Sequence, residues 1–144
     1  NGGGPVETSC DVYSLGAILY DLLVGVGPFD RSSLRRFGVD AMQRVVCDEA
    51  PLELSRRLGE LGADAADLAH KRDSTPEKLA SELSGDHSYV VLRCLAKQPR
   101  DRYKSVADLA ADVRMVLDNK PLSPAPAESL GIRMLKFVDK LRRA

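Results

Sequence analysis

Few residues in this chain have the type and setting to do chemistry, and each stands apart from the others. Asp11 heads a long apolar run, Asp11-Val12-Tyr13-Ser14-Leu15-Gly16-Ala17-Ile18-Leu19-Tyr20-Asp21-Leu22-Leu23-Val24, and Asp21 lies late in it. Arg102 belongs to a charged connection, Gln98-Pro99-Arg100-Asp101-Arg102-Tyr103. On residue type alone, Asp11 reads as a helix-start acid, Asp21 as a solvated or locally paired one, and Arg102 as a solvated base. Cys10, Cys47 and Cys94 are odd in number and widely spaced, so they make neither a disulfide framework nor a zinc pattern. None has a sequence-visible His to activate it, and all three are expected to be small packing residues in a reducing compartment. His70 and His87 have no metal-ligand spacing with any Cys or acid. Gly2-Gly3-Gly4 precedes no Lys-Ser/Thr and follows no strand, so it is no phosphate loop.

The run from Val12 to Val24 must position the two acids. Only Ser14 and Asp21 interrupt its apolar character, so a helix there is expected to be buried all round. It is too short to span a bilayer, which takes roughly 20 apolar residues. It therefore reads as a central core helix, with residues 1–9 as a loop, Thr8 or Ser9 as its cap and Asp11 in its first turn, where the dipole favours an acid. Gly25-Val26-Gly27-Pro28 ends it, and Phe29 is expected to tuck back onto the core.

The remaining elements are helical. Ser32 to Arg36 suits one turn. Val39 to Asp48 is clearer, with Ala41, Met42, Val45 and Val46 at helical spacing. Pro51 to Gly62 reads as irregular, anchored by Leu52, Leu54, Leu58 and Leu61. Ala63 to His70 is a short helix. Ser74-Thr75-Pro76-Glu77 resembles a capping box opening a helix through Leu83. Ser84-Gly85-Asp86 breaks the chain, and Tyr89 to Lys97 is helical again, with Val91, Leu92 and Leu95 inward. Ser105-x-x-Asp108 caps the helix with the best amphipathic pattern, Val106, Leu109, Ala110, Val113, Val116 and Leu117. Leu122 to Ala127 is a Pro-rich linker. From Glu128 to Arg143, Leu130, Met134, Phe137, Val138 and Leu141 share one face of a helix and bases fill the rest. Nothing alternates at period two, so the fold is expected to be all-α.

A length of 144 residues suits one domain or part of a larger one. Acids and bases balance at 21 each, which favours neither nucleic acid nor membrane as a partner of the whole chain. The balance is uneven: from Arg133 onward Lys136, Lys140, Arg142 and Arg143 join it against Asp139 alone. The chain opens on Asn1 and a glycine stretch, and is expected to be a fragment.

Asp11-x-Tyr13-Ser14-x-Gly16 on a core helix, followed by Gly25-x-x-Pro28-Phe29, resembles the C-lobe of eukaryotic-type protein kinases. Cys94-Leu95-x-x-x-Pro99-x-x-Arg102-Tyr103 resembles that family's second C-lobe signature, with Gln98 where the family has Asp. The two signatures stand in the right order, about eighty residues apart, and the resemblance covers roughly residues 6 to 118. The segment from Pro51 to Leu83, with the Pro-rich linker and basic helix, is most similar to bacterial receptor-type serine/threonine kinases.

The resemblance implies roles that residue type alone does not. Asp11 would hydrogen-bond the backbone of the catalytic loop and orient it, as a buried acid whose partner lies outside this chain. Arg102 would form a buried salt bridge with the Glu of Ala-Pro-Glu, also outside this chain, and so be an orphan here. Asp21 would be a possible contact for substrate arginines. No Gly-x-Gly-x-x-Gly, His-Arg-Asp or Asp-Phe-Gly occurs, so no catalytic, cofactor-binding or metal-binding residue is expected in this chain. The expected organisation is a partial kinase C-lobe over 1–121, a Pro-rich linker over 122–127 and a basic, juxtamembrane-like amphipathic helix over 128–144. ATP and magnesium would serve the full-length kinase, which phosphorylates protein Ser/Thr. Expected partners are the N-terminal part of the kinase domain, a protein substrate and an anionic membrane through 128–144, but no nucleic acid. The expected location is cytoplasmic and membrane-proximal. The alternatives are a non-catalytic kinase-remnant module and a membrane-proximal adaptor.

Overall fold

The structure, a computed structural model, describes residues 4–30, 32, 35–36 and 38–122. Among these residues there is no strand, and the architecture is all-α. Among the described residues the bounded helices are, in order, α1 Pro5–Val24, α2 Val39–Asp48, α3 Leu54–Glu60, α4 Ala63–Lys71, α5 Pro76–Leu83, α6 Asp86–Cys94 and α7 Val106–Leu117, with a 3-10 turn at Pro99–Asp101 before α7.

The central helix starts earlier than its apolar run suggests. Gly4 is the residue before its first turn and accepts from the Thr8 amide at 3.2 Å, so Thr8 and Ser9 lie inside the helix and do not cap it. Pro at the first helical position needs no amide partner and has its φ already set. At the other end Gly25 takes φ +83°, a left-handed conformation that glycine adopts freely, and its amide donates to the Asp21 carbonyl at 2.7 Å. A distant side chain completes this end: the Arg72 guanidinium donates to the carbonyls of Leu22 and Leu23, both at 2.6 Å.

Two apolar clusters make the interior, and α1 and α6 serve both. Tyr20 and Val24 of α1 join Leu54, Leu58, Ala65, Ala69, Leu79 and Leu83, together with Val91 and Leu95. Val12 of α1 joins Val90 and Cys94 of α6, Tyr103 and Leu109. Burying a Leu or Val side chain fully is worth about 1.5–3 kcal/mol, so these residues dominate the stability. The approach of α1 to α6 is close. A Cβ at Gly16 would collide with the Cβ of Cys94 and touch Leu95 at 3.4 Å, which is why no larger residue fits there.

The segment expected to be irregular contains α3. Leu54 and Leu58, one turn apart, are both fully buried, and this packing outweighs the weak local signal around Pro51 and Gly59. A buried hydroxyl ties the helix down: Ser88 Oγ accepts from the Leu54 amide at 3.1 Å and donates to the Leu83 carbonyl at 2.8 Å. Tyr20 reaches the same segment, its hydroxyl donating to the Leu52 carbonyl at 2.8 Å. The N-terminus of α5 is one residue later than its capping box implied, with Thr75 Oγ1 accepting from the Lys78 amide at 3.2 Å. Ser105 caps α7 as expected, accepting from the Asp108 amide at 3.1 Å. The expected linker beyond Leu122 and the basic helix over 128–144 lie outside the described residues. No helix among the described residues is long and apolar enough to cross a membrane.

Candidate functional site

The two sequence signatures pack against each other. Tyr13 and Gly16 of the first and Arg102, Cys94 and Leu95 of the second form one contact on the inner side of α1. Arg102 stands at its centre. Its guanidinium lies 4.8 Å from the centroid of the Tyr13 ring. Nε donates to the Ala96 carbonyl at 2.8 Å, and Nη1 donates to both the carbonyl and the Oγ of Ser9, each at 3.1 Å. Nη2 makes a longer contact, 3.4 Å, with the Lys97 carbonyl. Five fixed donors on a planar group suit this kind of multi-carbonyl clamp, which a lysine cannot reproduce. Arg102 is therefore no orphan. Among the described residues no carboxylate pairs with it, but oxygens of α1 and of the turn after α6 satisfy its donors. Burial pushes the Tyr13 hydroxyl above its usual range, and Arg102 partly offsets that.

A second cation extends the contact. Lys97 lies between Leu95 and Pro99 in the second signature, and its ammonium stands 4.8 Å from the centroid of Phe29, the last residue of Gly-x-x-Pro-Phe. The same Nζ donates to the Val46 carbonyl at 2.6 Å near the end of α2. Burial lowers its affinity for the proton, an effect partly offset by Cys47 and Asp48. Sequence reasoning singled out Phe29 and Tyr13 as motif letters but not what they hold. Ser9 reads from sequence as a helix cap and Lys97 as a helix end, and nothing in their local pattern marks the contacts they make with Arg102 and Phe29.

The outer side of α1 is open. Asp11 is exposed, not buried, and so is Asp21. Between them lie Leu15, Ile18 and Leu22, with 36%, 56% and 66% of their surface exposed. Asp11, Leu15, Ile18 and Leu22 recur at the spacing of one helix face, so α1 shows solvent an aliphatic stripe with an acid at its head. Asp11 and Asp21 share this side about 15 Å apart along the helix, while Arg102 sits on the inner side. The structure thus brings the acids to one face and does not bring Arg102 to either.

The other candidates fall away from this face. Cys94 is buried, as expected of a packing residue, and burial raises its thiol pKa to about 12. Cys10 and Cys47 are exposed, contrary to the expectation that they fill the interior. Cys10 lies on the open side of α1, next to the buried Ser9. Cys47 does so because α2 buries none of its residues fully. Among the described residues no three His, Cys, Asp or Glu side chains are grouped to hold a metal ion.

Comparison with known proteins gives this arrangement its context. No family model matches the chain. It is 34% identical over 117 residues to a probable serine/threonine-protein kinase of Corynebacterium efficiens, covering 81% of this chain and 14% of that protein. It is 32% identical over 119 residues to the serine/threonine-protein kinase PknB of Mycobacterium tuberculosis, covering 83% of this chain and 15% of the kinase. With the serine/threonine-protein kinase PknD of Chlamydia caviae it shares 30% identity over 121 residues, 83% of this chain and 10% of that protein. The chain therefore spans about one seventh or less of these relatives. Its helices, its two interlocked signatures and its relatives agree: this chain is homologous to bacterial serine/threonine-protein kinases, over a segment consistent with the distal half of their C-terminal lobe.

Proposed function

We propose that this chain is the scaffold half of a serine/threonine protein kinase domain. In the whole protein it underlies ATP- and magnesium-dependent transfer of a phosphoryl group to protein Ser or Thr. It supplies no group that touches the nucleotide. The observation that carries this reading is the open stripe of α1. Three aliphatic side chains and Asp11 face outward from a helix whose other side is packed into both apolar clusters. Such a face suits a second body of protein, here the preceding part of the domain. In this reading the exposed Asp11 carboxylate at its head accepts hydrogen bonds from that body's backbone and so orients a loop, as a positioning residue. Asp21, exposed on the same side, is proposed as a contact for basic substrate side chains. No residues of this chain match the parts of a kinase that hold ATP or magnesium, so both are assigned to the rest of the protein.

The test is steady-state kinetics on a longer gene product that carries the catalytic-loop and magnesium motifs. Asp11→Ala should lower kcat about tenfold or more while leaving nucleotide affinity nearly unchanged. Equal loss of both, or no loss, overturns the positioning role. The chain by itself should show no measurable ATP affinity, and tight binding would refute the division of labour. The open stripe also suits a second reading, a non-catalytic module that binds a partner through this face. A gene lacking the catalytic motifs upstream of Asn1 would favour it.

A further inference from the structure

The open face of α1 ends in charges of opposite sign. Glu7 and Asp11 stand exposed at its N-terminal end. At the other end the exposed Arg72 guanidinium lies on the carbonyls of Leu22 and Leu23, both at 2.6 Å. Each of the two nitrogens in that contact carries a further N–H, so the group has donors left for a carboxylate. Between Asp11 and Asp21 the helix has no charged residue. A face with acid at one end, base at the other and aliphatic side chains between them is complementary to a copy of itself turned end for end.

The residues keep step in that arrangement. Two copies of α1 are set antiparallel, with the two-fold axis beside Ile18. Leu15 of one copy then comes level with Leu22 of the second copy. The two differ in exposure, 36% against 66%, so the recessed Leu15 leaves room for the protruding Leu22. Ile18 meets its own counterpart at the axis. Asp11 comes level with the turn that follows Val24 of the second copy, where Arg72 of that copy sits. Asp21 falls beside the exposed Ser14 of the second copy, whose hydroxyl can donate to it. From Asp11 to Leu22 the helix rises about 17 Å, so the paired stretch covers about three turns.

We propose that the chain forms a weak antiparallel dimer through Leu15, Ile18 and Leu22 of α1, closed at each end by Asp11 of one copy and Arg72 of the other. The contact is small, which places it among transient interfaces. It covers the face on which, in the kinase reading, the rest of the domain seats, so the dimer and the seated domain exclude each other. The dimer is tested on the 144-residue chain alone and the kinase reading on a longer product, so either can fail without the other.

The experiment is sedimentation velocity of the full chain over a concentration series. The sedimentation coefficient should rise with concentration from the monomer value to that of a dimer. Ile18→Asp sets two carboxylates together at the axis and should weaken dimerisation about tenfold or more. Ile18 is exposed, so this substitution leaves the core intact, and unchanged far-UV circular dichroism checks it. Asp11→Lys and Arg72→Glu should each dimerise poorly alone, because like charges then meet at both ends. Mixed in equal amounts, the two variants should associate with each other about as well as the unmodified chain does with itself, since each end again holds one acid and one base. Loss of the Arg72 contact with its own α1 cannot produce that rescue. A chain that stays monomeric up to its solubility limit overturns the proposal. So does an Ile18→Asp variant that dimerises undiminished, or a mixture that associates no better than either variant alone.

Discussion

Replacing Gly16 by alanine separates local helix propensity from tertiary packing with one methyl group. In a helix interior, glycine is less favourable than alanine by about 0.8–1 kcal/mol, so propensity alone has Gly16→Ala stabilise the protein by that amount. Packing has the opposite sign. The new Cβ overlaps the Cβ of Cys94 and meets the Leu95 side chain at 3.4 Å. The Cys94 Cβ is held rigidly by the α6 backbone, so the clash cannot be relieved by rotating a flexible side-chain end. The helices themselves must move apart, which opens contacts in both apolar clusters. Overpacking of a dense core is worth roughly 1–3 kcal/mol, and this site belongs at the upper end because α1 and α6 wall both clusters. After the propensity gain, the expected net loss is about 1–2 kcal/mol, a fall in Tm of the order of 5–10 °C for a domain this size. Thermal and urea unfolding followed by circular dichroism measure it. Cys94→Ala should not rescue the variant, because alanine keeps the offending Cβ, whereas Cys94→Gly should recover part of the loss. A stabilised Gly16→Ala would show that α1 and α6 do not meet at this point and would undo the account of the interlocked signatures.

Other substitutions test the polar anchors. Ser88→Ala leaves the Leu54 amide and the Leu83 carbonyl without their buried partner and should destabilise by about 1–3 kcal/mol in urea unfolding; a neutral effect would mean water replaces the hydroxyl. Arg102→Lys keeps the charge but loses the fork across Ser9 and Ala96 and the stacking on Tyr13. It should cost about 1–2 kcal/mol and be little better than Arg102→Met; full retention of stability would show that charge alone matters. In the native chain a thiol reagent should modify Cys10 and Cys47 rapidly and Cys94 only on unfolding. The folded state holds the Cys94 proton up to about pH 12, whereas the unfolded chain releases it near 9, so this group's contribution to stability is complete below pH 9 and declines as pH rises toward 12. Cys94→Ala should remove the part of the alkaline limb that begins near pH 9, while the part above pH 10 persists because burial also raises Tyr13, Tyr20 and Tyr103; no change between pH 9 and 10 would show that Cys94 contributes nothing to it.

What the sequence made legible follows from where the signals lie. The capped helix after Ser105, the Gly25 stop and the helix from Pro76 announce themselves through local chemistry, and the structure bears them out. The α3 helix did not, because its stability comes from Leu54 and Leu58 meeting residues far along the chain and from the hydroxyl of Ser88. The start of α1 was misplaced because Thr8 and Ser9 look like caps. Ser9 instead uses its side chain, from within the helix, to hold Arg102. The expectation that α1 is buried all round failed on one side only. Apolar character along a sequence records what a helix packs against in its complete setting, and on the outer side of α1 the described residues supply no cover. The partners of Arg102 and Lys97 are mostly backbone carbonyls, which every residue carries, and no residue pattern marks them.

The shared wall of α1 and α6 has a consequence for how the fold comes apart. Two clusters with separate walls can melt one after the other, as independent cooperative units. Here Val12 serves one cluster while Tyr20 and Val24 serve the other, and adjacent residues of α6, Val90 and Val91, are divided in the same way. Neither helix can leave one interior without opening the second. The described core is therefore a single cooperative unit. Its formation waits on a meeting between residues some eighty positions apart, so the steps that bring the ends of this segment together govern how fast it folds.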